Sequence, residues 1–266
     1  MDEADKIGAC QWRYALVDSV RTDIKDAQSG DIGECEVCHG QLRARKGDVR
    51  VPHWAHINRE VCDAWHEAKG EWHIKWQDAF PENWRECLVE KDQERHIADI
   101  KTAYGLVIEF QHSAMNRDEQ ERREWFYGNM IWVVDGTRLK NDRTRFIRNA
   151  NGEIKELLHP RTRKPSGFWI VFDIKRVFPR SWLNCSVPVL FDFGLNSLFC
   201  LLPERLRQGY ALAIKVSRGQ LLYTAQNSAK FIEPIPSDFL TQVSDRLEHK
   251  MTPEQIRLPA QGWHRR

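Results

Sequence analysis

Residues 86–111 read ECLVEKDQERHIADIKTAYGLVIEFQ, and this stretch decides the fold. Runs rich in apolar and β-branched residues predict three strands, at Glu86–Glu90, His96–Ala103 and Leu106–Gln111. Tyr104-Gly105, between the last two runs, predicts a tight turn. The stretch therefore predicts three consecutive strands, of which the last two form a hairpin.

The predicted hairpin gathers polar groups on one face. Side chains alternate across a strand, so Glu109 and Gln111 point the same way, and the turn brings Asp99 beside Glu109. Two carboxylates and a third polar group suit a hard divalent cation such as Mg²⁺, which can acidify a bound water and neutralise charge on a phosphate. The alternative, which the spacing alone favours, is the solvated face of an amphipathic hairpin.

Helical patterns flank these strands. Ala64–Phe80 places four aromatic side chains on one stripe and predicts a helix before the strands. Arg117–Tyr127 predicts a second helix, whose buried points are Trp125 and Phe126, and Ile131–Asp135 predicts a further strand. The order helix, three strands, helix, strand predicts an α/β fold. This order also favours the metal site over the solvated face as the explanation of the hairpin.

Upstream of the strands, cysteine and histidine pairs have the spacing of a zinc site. Cys35-x2-Cys38 is followed by 14 residues and then by His53-x2-His56. Four thiolate and imidazole ligands close a tetrahedral zinc site and leave no position for water, so such a site is structural. The other explanation is two buried cysteines and two unrelated histidines. Two nearby residues could replace one of the four ligands, Cys62 and His66.

The composition bounds the class of protein. The 266 residues include 40 Lys and Arg against 38 Asp and Glu, so the net charge by itself indicates no polyanionic partner. With 11 Trp, 12 Phe and 5 Tyr, the chain has too many aromatic residues for a disordered protein. No run approaches the roughly 20 apolar residues that cross a bilayer. The polar N-terminus has no signal-peptide pattern, and the Cys35/Cys38 pair favours a reduced compartment, so we expect a cytoplasmic protein.

Changes of pattern predict three segments. Residues 1–60 contain an N-terminal strand region and the zinc knuckle, 61–140 the core described above, and 141–266 a basic linker and a β-containing C-terminal domain. From Arg138 to Arg180 the chain has 12 Lys and Arg against 4 Asp and Glu. These cations could bind DNA phosphates without sequence preference. The alternative is a solvated linker around residues 161–167.

In their order and spacing, several motifs resemble those of the CoiA-like competence protein family, whose nuclease domain belongs to the PD-(D/E)xK superfamily. The motifs are, in chain order, Asp23–Gly30, the Cys35/Cys38 pair, Pro52–His56, Glu71–His73, Arg95–Ile100, Ile108–Ser113, Glu121-Arg122 with Tyr127, and Trp132–Asp135. The resemblance extends over residues 10–140 and is loose beyond them. It implies a restriction-endonuclease-like αβββαβ core with an N-terminal zinc knuckle.

The resemblance also implies roles for single residues. Asp99 and Glu109 would bind the catalytic Mg²⁺ or Mn²⁺, and Glu71 and His73 would face the site from the first helix. Gln111 occupies the place of the superfamily's Lys, and a neutral Gln can hold a water or a phosphate oxygen but cannot act as a general base. Taken alone, Glu71 also fits a solvated helix acid, and His73 a hydrogen-bonded surface residue. A residue of the first helix could supply the missing positive charge, Lys75.

Three functions are compatible with these patterns. The first is an Mg²⁺-dependent deoxyribonuclease, an endonuclease rather than an exonuclease, that hydrolyses foreign or incoming DNA with a metal-bound water in competence or defence. The second, favoured by Gln111, is a catalytically inactive DNA-binding or adaptor protein that recruits recombination or defence partners. The third is a component of a larger defence complex in which the C-terminal region binds a protein partner. None of the three involves a membrane.

Overall fold

The computed structural model describes residues 10–58, 62–158 and 164–250 of the chain and shows a mixed α/β protein. It divides into two compact units, unit 1 up to Ser113 and unit 2 from Ala114. This division lies within the predicted 61–140 segment. The predicted boundary at residue 140 coincides instead with the start of a helix in unit 2.

Unit 1 begins with a sheet of six short strands that are antiparallel to their neighbours. The strands are β1 (Gln11–Trp12), β2 (Tyr14–Val17), β3 (Val20–Asp23), β4 (Ile32–Glu34), β5 (Gln41–Arg45) and β6 (His53–His56). Their order in the sheet is β1-β6-β5-β4-β2-β3. Buried side chains of these strands and their loops form one apolar cluster, which includes Trp12, Leu42 and Trp54. The sheet carries the cysteine-rich loop between β4 and β5.

The second part of unit 1 contains the three strands predicted from residues 86–111. A helix and a 3-10 turn precede them, α1 (Glu71–Gln77) and Glu82–Trp84. The strands are β7 (Arg85–Lys91), β8 (Glu94–Lys101) and β9 (Val107–Gln111), and each pairs antiparallel with the next. The predicted turn is confirmed, because Gly105 takes the left-handed φ of 80° that a glycine adopts without steric cost.

Helix α1 is shorter than the predicted helix at residues 64–80. Gly70 precedes it with extended backbone, at ψ 178°, and residues 62–70 run without helix up to that point. Trp65 therefore does not belong to a helical stripe. It is buried because its ring stacks on that of His96, with 3.3 Å between the centroids. The aromatic spacing resembled a helical period, but the tertiary contact decides the conformation of this segment.

Unit 2 contains the remaining helices and strands. They are α2 (Arg117–Tyr127), β10 (Met130–Asp135), α3 (Lys140–Glu153), β11 (Ile154–Leu158), β12 (Pro165–Val171), α4 (Ile174–Val177), a 3-10 turn (Arg180–Trp182), β13 (Val189–Asp192), β14 (Leu198–Arg205), β15 (Ala211–Val216), α5 (Arg218–Asn227) and α6 (Ser237–Lys250). The strands of this unit lie in the order β11-β12-β15-β14-β13-β10. The pair β10 and β13 is parallel, and the other pairs are antiparallel. From α1 to β10 the chain has the predicted order αβββαβ, while the restriction-endonuclease-like core remains a prediction.

Helix α2 has the predicted bounds, and the Asn116 side chain caps it by accepting a hydrogen bond from the Glu119 N–H at 2.8 Å. One detail of the prediction is wrong. Phe126 is buried, but Trp125 is 64% exposed. Consecutive residues of an α-helix point about 100° apart, so two adjacent aromatic side chains do not share the centre of one buried face.

The core of unit 2 is built mainly from phenylalanine rings. Five of them lie within 6.5 Å of a neighbouring ring centroid: Phe146, Phe178, Phe191, Phe193 and Phe199. Gly136 lies against this cluster, and a Cβ there would come within 2.4 Å of the Phe193 ring. Among the described residues, no helix is long and apolar enough to cross a membrane.

Candidate functional site

Four side chains of unit 1 form a cluster with the composition of a zinc site. One ligand atom from each of Cys35, Cys38, His56 and Cys62 lies within 4.8 Å of all the others. The Cys35 and Cys62 sulfurs are 3.7 Å apart, and Cys38 Sγ lies 3.2 Å from His56 Nε2. Tetrahedral zinc with Zn–S bonds of about 2.3 Å separates two sulfurs by about 3.8 Å. Three thiols and one imidazole therefore fit a closed, structural zinc site.

The loop after β4 prepares the cluster for thiolates. The Val37 N–H donates to Cys35 Sγ at 3.4 Å, and the Gly40 N–H donates to Cys38 Sγ at 3.4 Å. The hydrogen bond between the Cys35 and Cys62 sulfurs is the main cause that lowers the pKa of Cys35, to about 5. Donated hydrogen bonds stabilise negative charge on sulfur, which is the form that binds a metal.

His53, predicted as the fourth ligand, is not part of this cluster, and Cys62 is present instead. His53 and His56 are three residues apart on β6, and side chains of a strand alternate between its two faces. His56 is accordingly buried in the cluster, whereas His53 Nδ1 lies 2.8 Å from the Val51 carbonyl oxygen. The other predicted replacement, His66, accepts a hydrogen bond at Nε2 from the Gln11 N–H at 2.8 Å.

A row of three buried acids crosses β7, β8 and β9. The pairs Arg85–Ile100 and Cys87–Ala98 place Glu86 opposite Asp99. The pair Ile100–Ile108 places Glu109 opposite Asp99 on the other side of β8. Glu86, Asp99 and Glu109 are 2%, 7% and 4% exposed. The structure thus brings Asp99 and Glu109 together, as the hairpin predicted, and adds Glu86.

Asp99 and Glu109 each bind the backbone of the other strand. The Asp99 N–H donates to Glu109 Oε1 at 3.1 Å, and the Phe110 N–H donates to Asp99 Oδ2 at 2.9 Å. Carboxylates that accept backbone hydrogen bonds are held in a fixed orientation. These two acids are therefore rigid parts of the hairpin.

Lys69 supplies a positive charge to the acid row. Its Nζ lies 3.3 Å from Asp99 Oδ1 and also forms an ion pair with Glu86, and its side chain is only 9% exposed. Burial acts to lower the pKa of Lys69, but the Glu86 and Asp99 carboxylates outweigh it and raise that pKa. Lys75, which the sequence offered for this charge, is exposed on α1.

Helix α1 places two more groups on Asp99. His73 Nε2 lies 2.8 Å from Asp99 Oδ1, and Gln77 Nε2 donates to the same oxygen at 3.4 Å. Burial acts to raise the pKa of Asp99, but the charges of His73 and Lys69 outweigh it and hold that pKa well below its usual range. His73 is thus a buried member of the site, not a surface residue. Glu71, in the first turn of α1, is exposed.

Gln111 is buried at the end of β9 and belongs to a separate contact. Its Nε2 donates to Glu67 Oε1 at 2.6 Å and to Ser113 Oγ at 3.1 Å. The cation next to Asp99 is therefore Lys69, from the segment before α1. The Gln111 amide instead holds the carboxylate of Glu67, which belongs to the same segment.

The basic stretch between residues 138 and 180 contains helix α3 at Lys140–Glu153. Arg138, Lys140, Arg143 and Arg148 are exposed at this helix and just before it. The Arg143 Nε also donates to the Phe193 carbonyl oxygen at 2.9 Å. Residues 161–163, the most basic part of the predicted linker, lie outside the described residues.

No protein-family model, no curated protein and no solved structure matches this chain.

Proposed function

We propose that the protein is a DNA nuclease that depends on a divalent cation and has its site on β8, β9 and the segment before α1. The observation that carries the proposal is the set of Asp99, Glu109 and Lys69. Two buried carboxylates lie on adjacent strands, and an ammonium group lies 3.3 Å from one of them. The sequence left the site without a positive charge at Gln111, and Lys69 supplies one.

Each group has a definite task in this proposal. Asp99 and Glu109 would hold Mg²⁺ or Mn²⁺, which when bound supplies charge to a phosphate and acidifies water. Lys69 keeps Asp99 ionised and offers N–H donors to a phosphate oxygen. His73 holds Asp99 in place through Nε2. The Cys35, Cys38, His56 and Cys62 cluster would hold a structural Zn²⁺.

The test uses circular single-stranded and double-stranded DNA with Mg²⁺, Mn²⁺ or EDTA. The variant Asp99→Asn is sharper than Asp99→Ala, because the amide oxygen can still accept the Phe110 N–H. We expect wild-type protein to cut circles only with a metal, and Asp99→Asn to lose about a hundredfold in rate or more. The matched control is Lys75→Met, on the exposed side of α1, with unchanged cleavage. An Asp99→Asn variant as active as wild type would refute the assignment of the site.

The second candidate is a DNA-binding or adaptor protein without catalysis. It is favoured by the occupancy of the Asp99 carboxylate, whose Oδ1 contacts His73 and Lys69 while Oδ2 accepts the Phe110 N–H. Such a closed network of ion pairs also occurs as a purely structural feature. DNA retention that persists in Asp99→Asn, with no cleavage by wild type under any metal, would establish this function instead.

The cellular setting proposed here follows from the resemblance alone. It comprises action on incoming or foreign DNA in competence or defence, a cytoplasmic location, and a protein partner bound through residues 141–266. The full-length protein with an affinity tag, recovered from cells with and without DNA uptake or phage challenge, tests that setting by the partners identified with it.

A further inference from the structure

The segment at residues 62–69 connects the two sites of unit 1. It begins at Cys62, in the cysteine and histidine cluster, and ends at Lys69, which contacts Asp99. It contains no helix or strand, and it lies between β6 and α1 in the chain. Its fixed position therefore depends on side-chain contacts.

Asp63, directly after Cys62, fastens the segment to β8. It is 3% exposed, and its Oδ2 accepts a hydrogen bond from the Ile97 N–H at 3.0 Å. Its Oδ1 accepts the Trp65 N–H at 2.9 Å and lies 2.8 Å from His96 Nδ1. Both carboxylate oxygens are thus used to hold the segment and β8 together.

The contacts with β8 and β9 recur at every second residue. Trp65 stacks on His96, Glu67 accepts the Gln111 amide at 2.6 Å, and Lys69 binds Asp99. Together with Asp63, these are the odd-numbered residues of the segment. Residues 63–66 form a turn, closed by the His66 N–H on the Asp63 carbonyl oxygen at 3.2 Å, and this turn together with the irregular chain that follows it positions all four side chains.

We propose that Asp63 is a positioning residue, and that the segment at residues 62–69 couples metal binding at the cysteine and histidine cluster to the arrangement of the acid row. A metal bound through Cys62 would hold one end of the segment in place, and the hydrogen bonds of Asp63 would hold the next residue against β8. Lys69 then keeps its contact with Asp99, and Glu67 keeps its contact with Gln111. Without the metal or Asp63, ordering this irregular segment costs conformational entropy that the remaining contacts do not offset. The importance of this coupling for catalysis rests on the proposed function, but the coupling itself does not.

The experiment measures how fast Lys69 reacts with an amine-acylating reagent, by peptide mass spectrometry of the full-length, zinc-loaded protein. A buried, ion-paired ammonium reacts slowly, and the exposed Lys75 provides the internal reference. In Asp63→Ala with its zinc retained, we expect Lys69 to react about tenfold faster, because the missing hydrogen bonds shift a local opening equilibrium by at least this factor. Asp63→Asn, which keeps an oxygen for the Ile97 N–H, should recover part of the protection. The matched control is Asp31→Ala, which removes an exposed turn acceptor for the Gln28 N–H and should leave Lys69 unchanged.

A second arm removes zinc from the wild-type protein with a chelator and does not require that any variant folds. We expect Lys69 labelling to rise in step with zinc loss while the backbone amides of β8 and β9 stay protected from hydrogen exchange. Unchanged Lys69 labelling in either arm would overturn the proposal, and so would loss of protection throughout β8 and β9, since the metal would then hold the whole unit. No arm uses DNA, so a failure of cleavage and a failure of this coupling are separate results.

Discussion

Replacing Lys69 by Met gives the most direct test of the buried charges of unit 1. Met fills much of the volume of the Lys stem but leaves Asp99 and Glu86 without their shared cation. Removing one partner of a buried ion pair costs about 3–5 kcal/mol. Asp99 keeps His73 and the Phe110 N–H, and Glu86 keeps the Arg13 N–H at 2.8 Å. We therefore expect the lower end of that range, a decrease of about 3 kcal/mol in unfolding free energy at pH 7.

The pH dependence of this decrease has a definite sign. Lys69 helps to lower the pKa of Asp99, so the stability it contributes is present above the ordinary carboxyl pKa of about 4 and is lost as the pH falls below it. In Lys69→Met that pKa rises, and the variant loses less than wild type on acidification. The stability difference between the two proteins should therefore be constant between pH 7 and pH 5 and shrink as the pH falls below about 4.

Urea unfolding at several pH values, followed by tryptophan fluorescence and far-UV circular dichroism, measures this difference. The matched control is Lys75→Met, which removes an exposed lysine of α1 and should change stability by less than about 0.5 kcal/mol. A decrease below about 1 kcal/mol for Lys69→Met at pH 7 would refute the reasoning, because a buried pair costs more. A decrease that stays constant as the pH is lowered well below about 4 would do the same.

Two further predictions concern unit 2. Replacing Arg138, Lys140 and Arg148 by Ala should weaken DNA binding in EDTA. The slope of log K against log salt concentration should become shallower by about 0.9 for each DNA phosphate that the variant no longer neutralises. A slope equal to that of wild type, or to that of the control Arg207→Ala, would exclude α3 from DNA binding. Gly136→Ala should lower the unfolding free energy by about 1–3 kcal/mol in urea unfolding, because its Cβ meets the Phe193 ring at 2.4 Å. The control Gly152→Ala, whose Cβ has nothing within 4 Å, should not destabilise the protein. Equal stabilities for the two variants would contradict the packing described.

The strands around the acid row could be predicted because local patterns determine them. Alternating apolar residues and a single Tyr104-Gly105 turn specify the hairpin and its facing residues without any long-range information. Helix α2 carries its own start signal in Asn116. The segment at residues 62–70 failed as a helix prediction because its conformation comes from contacts with β8 and β9, and four aromatic residues at helical spacing are not sufficient evidence of a helix.

The candidate site was only partly predictable for the same reason. Asp99 and Glu109 are joined by one hairpin, so their spacing contains the information. Lys69 meets Glu86 and Asp99 only after the chain has folded back through α1 and β7, and a lysine before a glycine gives no sequence signal for that contact. The zinc ligands show the same limit, because the regular spacing of His53 and His56 concealed the alternation of the strand that carries them.

Strand β6 contributes one side chain to the metal cluster and one to the apolar core, and both lie on the same face of the strand. Trp54, fully buried, and His56, in the cluster, are two residues apart and so lie on the same face of the strand. A short strand can slip by one residue against its neighbours, and such a slip would turn both side chains to the other face. A metal that requires His56 penalises that misalignment along with the loss of Trp54 from the core. Bound zinc would therefore favour the native register of β6 in this six-stranded sheet of short strands.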